Sequence, residues 1–234
     1  MKKLYKNAKA YLFTCILAVM ASIPGLSTAQ EEHGFLNIVN LVPGGVPCKI
    51  GVAGQDAMPG GLPSAQATGW FIVPAGSSTL DLTIEGYEAV SGALDIPVGK
   101  SSVCVVFLQA TPGVDSKGKP ARPRIRFKRC DALPAGKGFS LQLMSFCAEE
   151  TSFVIGSKPF TIKMLETIEI PKWNGGGFKI LRNQTVVGEV PTEFEKGAFY
   201  LFVGTDHAGK YCSTLVRAEN QTLPPWMKKK PEQP

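Results

Sequence analysis

Apolar and polar residues alternate with a period of two through much of the chain. In residues 79–84 the apolar Leu80, Leu82 and Ile84 alternate with Thr79, Asp81 and Thr83, and Phe160, Ile162 and Met164 alternate with Thr161 and Lys163. This is the period of a strand with one buried face. Strand-like runs at 35–41, 48–53, 70–73, 79–84, 102–109 and 124–130 are separated by Gly/Pro clusters. A second set follows at 139–146, 152–155, 160–170, 177–181, 185–190, 198–204 and 211–217. Short strands at such spacing predict a sandwich or barrel. Residues 139–155 lack Gly and Pro and are long enough for a helix, but the alternation of Phe139, Leu141 and Leu143 predicts strand.

The two sets read as one pattern written twice. Gly34-Phe35 opens the first and Gly138-Phe139 the second. Phe71-Ile72-Val73-Pro74 is answered by Ile168-Glu169-Ile170-Pro171. The run 103–109 after Gly99 is answered by 199–203 after Gly197, and each is followed by a loop and one more strand. The expected fold is all-β: two tandem antiparallel β-sandwich domains, immunoglobulin-like or transthyretin-like, arising from an internal duplication. The boundaries are a first repeat at 30–133, a linker at 134–138, a second repeat at 139–221 and a disordered Pro/Lys-rich tail at 222–234.

Composition supports a folded chain with many turns. It has 25 Gly and 18 Pro, too many for a helical bundle, and 44% apolar residues, too many for a disordered chain. Residues 1–29 have the parts of a secretory signal: Lys2, Lys3, Lys6 and Lys9, an apolar run of about 14 residues at 10–23, and the small Ser27 and Ala29 before Gln30. A spanning helix needs roughly 20 apolar residues, and Pro24 and Gly25 close this run, so cleavage after Ala29 is expected. No later segment is long and apolar enough to span a bilayer, which predicts a soluble mature product exported to the periplasm or cell surface of a bacterium.

Losing the signal changes the charge. Four lysines leave with it, so the formal net charge of +6 falls to about +2, and residues 30–227 carry 18 bases against 18 acids. A neutral body gives no argument for nucleic acid.

The chain resembles a family of secreted bacterial β-sandwich repeat proteins of unknown function. Their repeats begin with an apolar strand leading to a Pro-containing turn, pass through a Val-Pro-Ala-Gly turn, and close with a Gly, an aromatic-rich Tyr-x-Phe strand, a loop and a final strand. Residues 35–43, Val73-Pro74-Ala75-Gly76 and Gly197-Ala198-Phe199-Tyr200-Leu201-Phe202-Val203-Gly204 look like those parts. The family's His-x-Ser-Pro and Asp-Val elements are absent, and Ile170-Pro171-Lys172-Trp173 replaces the Pro-Ala-Gly turn in the second repeat. The resemblance implies export and a β-sandwich, and no activity.

Few residues carry candidate chemistry. Arg122, Arg124, Arg126 and Lys128 recur at every second position, so a strand places four cations on one face, opposite Ile125 and Phe127. Such a row suits an anionic polymer, or it protects an exposed sheet edge. Trp173, in Lys172-Trp173-Asn174-Gly175-Gly176-Gly177, is a candidate for stacking on a sugar; packing over its own turn is the competing expectation. Asp206 and His207 fall in a loop between strands, where turn chemistry explains them as well as catalysis does.

Without Cys15 of the signal, five cysteines remain. Hairpin neighbours suggest Cys104 with Cys130, and antiparallel neighbours suggest Cys147 with Cys212, leaving Cys48; other pairings stay open. No C-x-x-C spacing supports a zinc site, and no cofactor is expected. The expected function is that of an exported, non-catalytic cell-envelope protein, a structural or adhesive interaction module. The alternative is a carbohydrate or anionic-glycan binder using the Arg/Lys strand and Trp173. The partner is expected to be an envelope protein or glycan rather than nucleic acid.

Overall fold

The computed structural model describes residues 32–114, 118, 121–134, 136, 138–155, 158–170, 172–190, 195–205, 209–222 and 224. The signal-like segment with Cys15, Asp206 and His207, and Trp226 with the tail lysines Lys228, Lys229 and Lys230 lie outside the described residues. Every regular element among the described residues is a strand, and no helix there is long and apolar enough to cross a membrane.

The first half contributes β1 (His33–Asn40), β2 (Lys49–Val52), β3 (Gln55–Asp56), β4 (Gln66–Ala67), β5 (Phe71–Pro74), β6 (Gly76–Thr83), β7 (Val90–Ile96), β8 (Ser101–Gln109) and β9 (Arg124–Asp131). The second contributes β10 (Phe139–Phe146), β11 (Thr151–Ile155), β12 (Lys158–Ile162), β13 (Thr167–Glu169), β14 (Phe178–Arg182), β15 (Thr185–Val190), β16 (Gly197–Thr205) and β17 (Tyr211–Arg217). They form four sheets. An outer sheet of order β3-β2-β6-β7 faces an inner sheet β4-β1-β8-β9, with β5 also on β1. The inner sheet β13-β10-β16-β17 faces the outer sheet β12-β11-β14-β15. The sheets are not purely antiparallel: the first strand of each half runs parallel to the next-to-last, β1 with β8 and β10 with β16.

Three apolar cores fill the spaces between the four layers. The first, with Leu36, Ile38, Ile50, Leu80, Leu82, Cys104 and Val106, lies within the first sandwich. The third, with Leu141, Leu143, Phe153, Ile180, Phe199 and Leu201, lies within the second. Between them the two inner sheets share a middle core that includes Val39, Val103, Val105 and Phe107 from one half and Met144, Phe146, Tyr200 and Phe202 from the other. Strands β8 and β16 are therefore buried on both faces, and eight consecutive residues of each are buried. This is the physical reason for their unbroken apolar runs. Polar bonds tie the same seam: Leu133 N–H donates to the Ala218 carbonyl at 2.7 Å, Gln221 N–H to Ser101 Oγ at 2.7 Å, and Tyr200 O–H to the Asp131 carbonyl at 3.2 Å.

The halves match in detail, one residue away from the Gly-Phe correspondence. Leu36 and Ile38 face their own core as Leu141 and Leu143 face theirs. Pairing Phe35 with Phe139 would set these residues on opposite faces, because a one-residue slip turns a strand over. In the true register Asn40 matches Ser145. Each accepts at its carbonyl from a residue with positive φ, Ala65 (φ 58°) or Leu165 (φ 63°), and each side chain accepts from the backbone two residues on, Val42 N–H at 3.0 Å or Cys147 N–H at 3.2 Å.

Several elements differ from the sequence pattern, among them the short β3 and β4, which fall in the loop expected between 53 and 70. The expected strand 160–170 is broken at Leu165 into β12 and β13, which belong to different sheets. Strand β7 has no counterpart among the expected runs, because Gly92 and Ala93 dilute its alternation. Gly92 is required there: a Cβ would stand 2.9 Å from the ring of Phe127.

Candidate functional site

Strand β9 is the outer strand of its inner sheet, paired only to β8 within it. Its alternation holds it in place. Ile125 is fully buried in the first core, and Phe127 packs against the same core. The other face carries Arg124, Arg126, Lys128 and Cys130, opposite Gln109, Phe107, Val105 and Val103 of β8. Cys130 is sealed in the middle core, Lys128 is half-buried, and Arg126, Arg124 and Arg122 are exposed. Three of the expected four cations thus rise out of the middle core along the strand, whereas Arg122 precedes its first residue, Arg124.

The row is poorly compensated. Among the described residues none of these four cations forms an ion pair, whereas Arg129 on the opposite face is held by Asp131 at 2.9 Å. Arg126 is oriented by its own sheet, its Nε donating to Gln109 Oε1 at 3.1 Å. Arg124 and Arg126 line a hollow of about 230 Å³ together with Gln109, Ala110, Thr111 and Pro112. Gln109 and Thr111 were not singled out by sequence. Their only signal was the place where an apolar run ends beside a basic strand.

The matching strand of the second half, β17, carries different residues at these positions. The registers match Cys130 to Val216, Lys128 to Thr214 and Arg126 to Cys212. In β17 these positions dock the second half on the first: Thr214 Oγ1 donates to the Ala65 carbonyl, and Cys212 Sγ to the Leu41 carbonyl at 3.0 Å. In β9 the same two positions carry long cations that project outward.

Trp173 is not displayed. Its indole lies in the third core, edge-on to Phe139 (5.6 Å between centroids) and Phe199 (5.5 Å), and its Nε1 donates to the Gly176 carbonyl at 2.8 Å. The glycine-rich turn folds back to supply that acceptor. Gly175, at φ 85°, passes so close to Phe139 that a Cβ would sit 2.5 Å from the ring. The glycan-stacking expectation for Trp173 is therefore corrected: the ring fills the core.

Both expected disulfides are also corrected. Cys130 is opposite Val103 and not Cys104, so Cys104 faces the first core while Cys130 faces the middle one. Cys147 lies in the third core and Cys212 packs on the middle one, with β16 between their strands.

Burial pushes the Cys48 thiol up to about 12 and Cys130 to about 11, and raises Cys104 and Cys147 above the ordinary value of 9.0. These thiols keep their protons in the folded chain at pH values where the unfolded chain releases them. The folded state then binds more protons, so stability falls as pH rises from about 9. The expected slope is roughly 1.4 kcal/mol per pH unit for each such thiol. Urea midpoints from pH 8 to 10 check this, and a Cys48→Ala/Cys104→Ala variant should show a shallower fall. A fall of equal slope in that variant would contradict it. Compared with known proteins, the chain matches no protein family and no curated sequence.

Proposed function

We propose that this chain is an exported, non-catalytic interaction module of a bacterial cell envelope. The observation that carries this reading is the middle core. It joins two sandwiches into a four-layer block whose surfaces are fixed relative to one another, and a fixed surface suits recognition. Two open hollows among the described residues, one beside Asp56 and Asp81 and one beside Arg124 and Arg126, measure about 220 and 230 Å³, below the ~300–1,000 Å³ of sites that enclose small molecules. The buried thiols, held protonated, make poor nucleophiles. The signal-like residues 1–29 and the resemblance to secreted sandwich repeats support export.

Two measurements test this. Fractionation of source cells should find a chain beginning at Gln30 in the periplasmic or envelope fraction, and a chain retaining Met1 in the cytosol would overturn export. Purified residues 30–234 should bind envelope particles saturably at low salt; no binding there would overturn the interaction role.

A further inference from the structure

We propose that β9, with the residue Arg122 just before it, binds a linear acidic polysaccharide, whose carboxylates are met in turn by Arg122, Arg124, Arg126 and Lys128. The inference rests on the interaction-module reading and names the partner's chemistry.

Four observations carry it. At about 3.3 Å of rise per residue, alternate positions recur about every 6.6 Å, so Arg124, Arg126 and Lys128 form a straight line of regularly spaced charge, with Arg122 two residues before Arg124, the first residue of the strand. Its cations carry no ion pair among the described residues, although the body of the chain has equal numbers of acids and bases. The strand beneath is rigid, because Ile125 and Phe127 fix one face in the first core and Cys130 fixes the end of the other in the middle core. A row held straight before binding loses little entropy on meeting a chain of charges. Finally, the matched positions of β17 carry Cys212 and Thr214, which close the seam between the halves. At the β9 positions Arg126 and Lys128 make no such seam contact among the described residues and face outward.

Arg forks meet carboxylates and phosphates alike, so the choice against nucleic acid rests on the absence of rings among the cations. Single-stranded nucleic acid needs aromatic rings among the cations on which bases stack, and here the neighbouring ring, Phe127, belongs to the opposite face, packed on the first core. Edge protection by charge is the rival explanation of the row, and it predicts aggregation rather than lost binding when the charges go.

The test uses the mature chain with polygalacturonate as acidic probe, dextran as neutral control and oligothymidylate as nucleic-acid control. Polygalacturonate should bind at low salt and weaken steeply as salt is added. Arg124→Ala/Arg126→Ala should weaken binding by about tenfold or more and roughly halve the salt slope, in proportion to the contacts removed. Its thermal midpoint and monodispersity should be unchanged, and Arg124→Lys/Arg126→Lys, which keeps the charges but loses the forks, should keep the salt slope and bind with an affinity between those of the wild type and the alanine variant. Equal binding of dextran, tighter binding of oligothymidylate, or wild-type affinity in the alanine variant would each overturn the proposal, as would an alanine variant that aggregates while still binding. Envelope binding without polygalacturonate binding would overturn this inference and leave the interaction role standing; loss of both would remove both.

Discussion

Phe146→Ala is expected to destabilise the whole chain by about 3–5 kcal/mol, the range for truncating a buried phenylalanine. Its ring is almost fully buried in the middle core, 4.7 Å from Phe107 of the first half and 5.9 Å from Phe202 of the second. Truncation therefore opens a cavity that borders both sandwiches. For a chain of this length each 1 kcal/mol moves the midpoint by about 2–4 °C, so the single calorimetric transition should fall by roughly 6–20 °C and stay single. A transition that splits, with one component at the wild-type temperature, would mean that the halves unfold separately and that the middle core is a weak contact.

Trp173→Ala has the second largest expected effect, again about 3–5 kcal/mol. It removes the ring wedged between Phe139 and Phe199 and leaves the turn carbonyl of Gly176 without its indole donor. Binding of an acidic polysaccharide at β9 should be untouched, because Trp173 belongs to the third core and β9 borders the first and the middle ones. A ring that stacked on sugars would give the reverse result, lost binding at unchanged stability. Isothermal titration beside urea unfolding of the same variant separates the two.

Much of the fold is legible in sequence because most strands bury one face and expose the other. Leu80, Leu82 and Ile84 show this directly, and so do Ile125 and Phe127 against their arginines. Strands β8 and β16 were readable as strands, but an apolar run gives no face, so nothing in it says that a second sandwich covers the outer side. For the same reason the repeat was visible while its register was not. Gly34-Phe35 and Gly138-Phe139 look alike, yet the residues that face the cores match one position away.

The candidate site divides along similar lines. The spacing of Arg124, Arg126 and Lys128 places them on one face without any tertiary knowledge, whereas the strand they share stops short of Arg122. Gln109 joins them only through the β8–β9 pairing. For Trp173 a glycine-rich turn is compatible with display or with packing, and here the glycines let the chain come close to Phe139 and fold an acceptor back onto the indole. The cysteine pairs failed on parity: neighbouring strands are not enough when two residues face opposite sides of a sheet.

Native-state hydrogen exchange in low urea tests the four-layer block most directly. The slowest amides of β8 (Ser101–Gln109) and β16 (Gly197–Thr205) should share one opening free energy and one urea dependence, equal to those of global unfolding. If β16 exchanges through a smaller opening while β8 stays protected, or the reverse, the two sandwiches are separate folding units and the shared core does not join them.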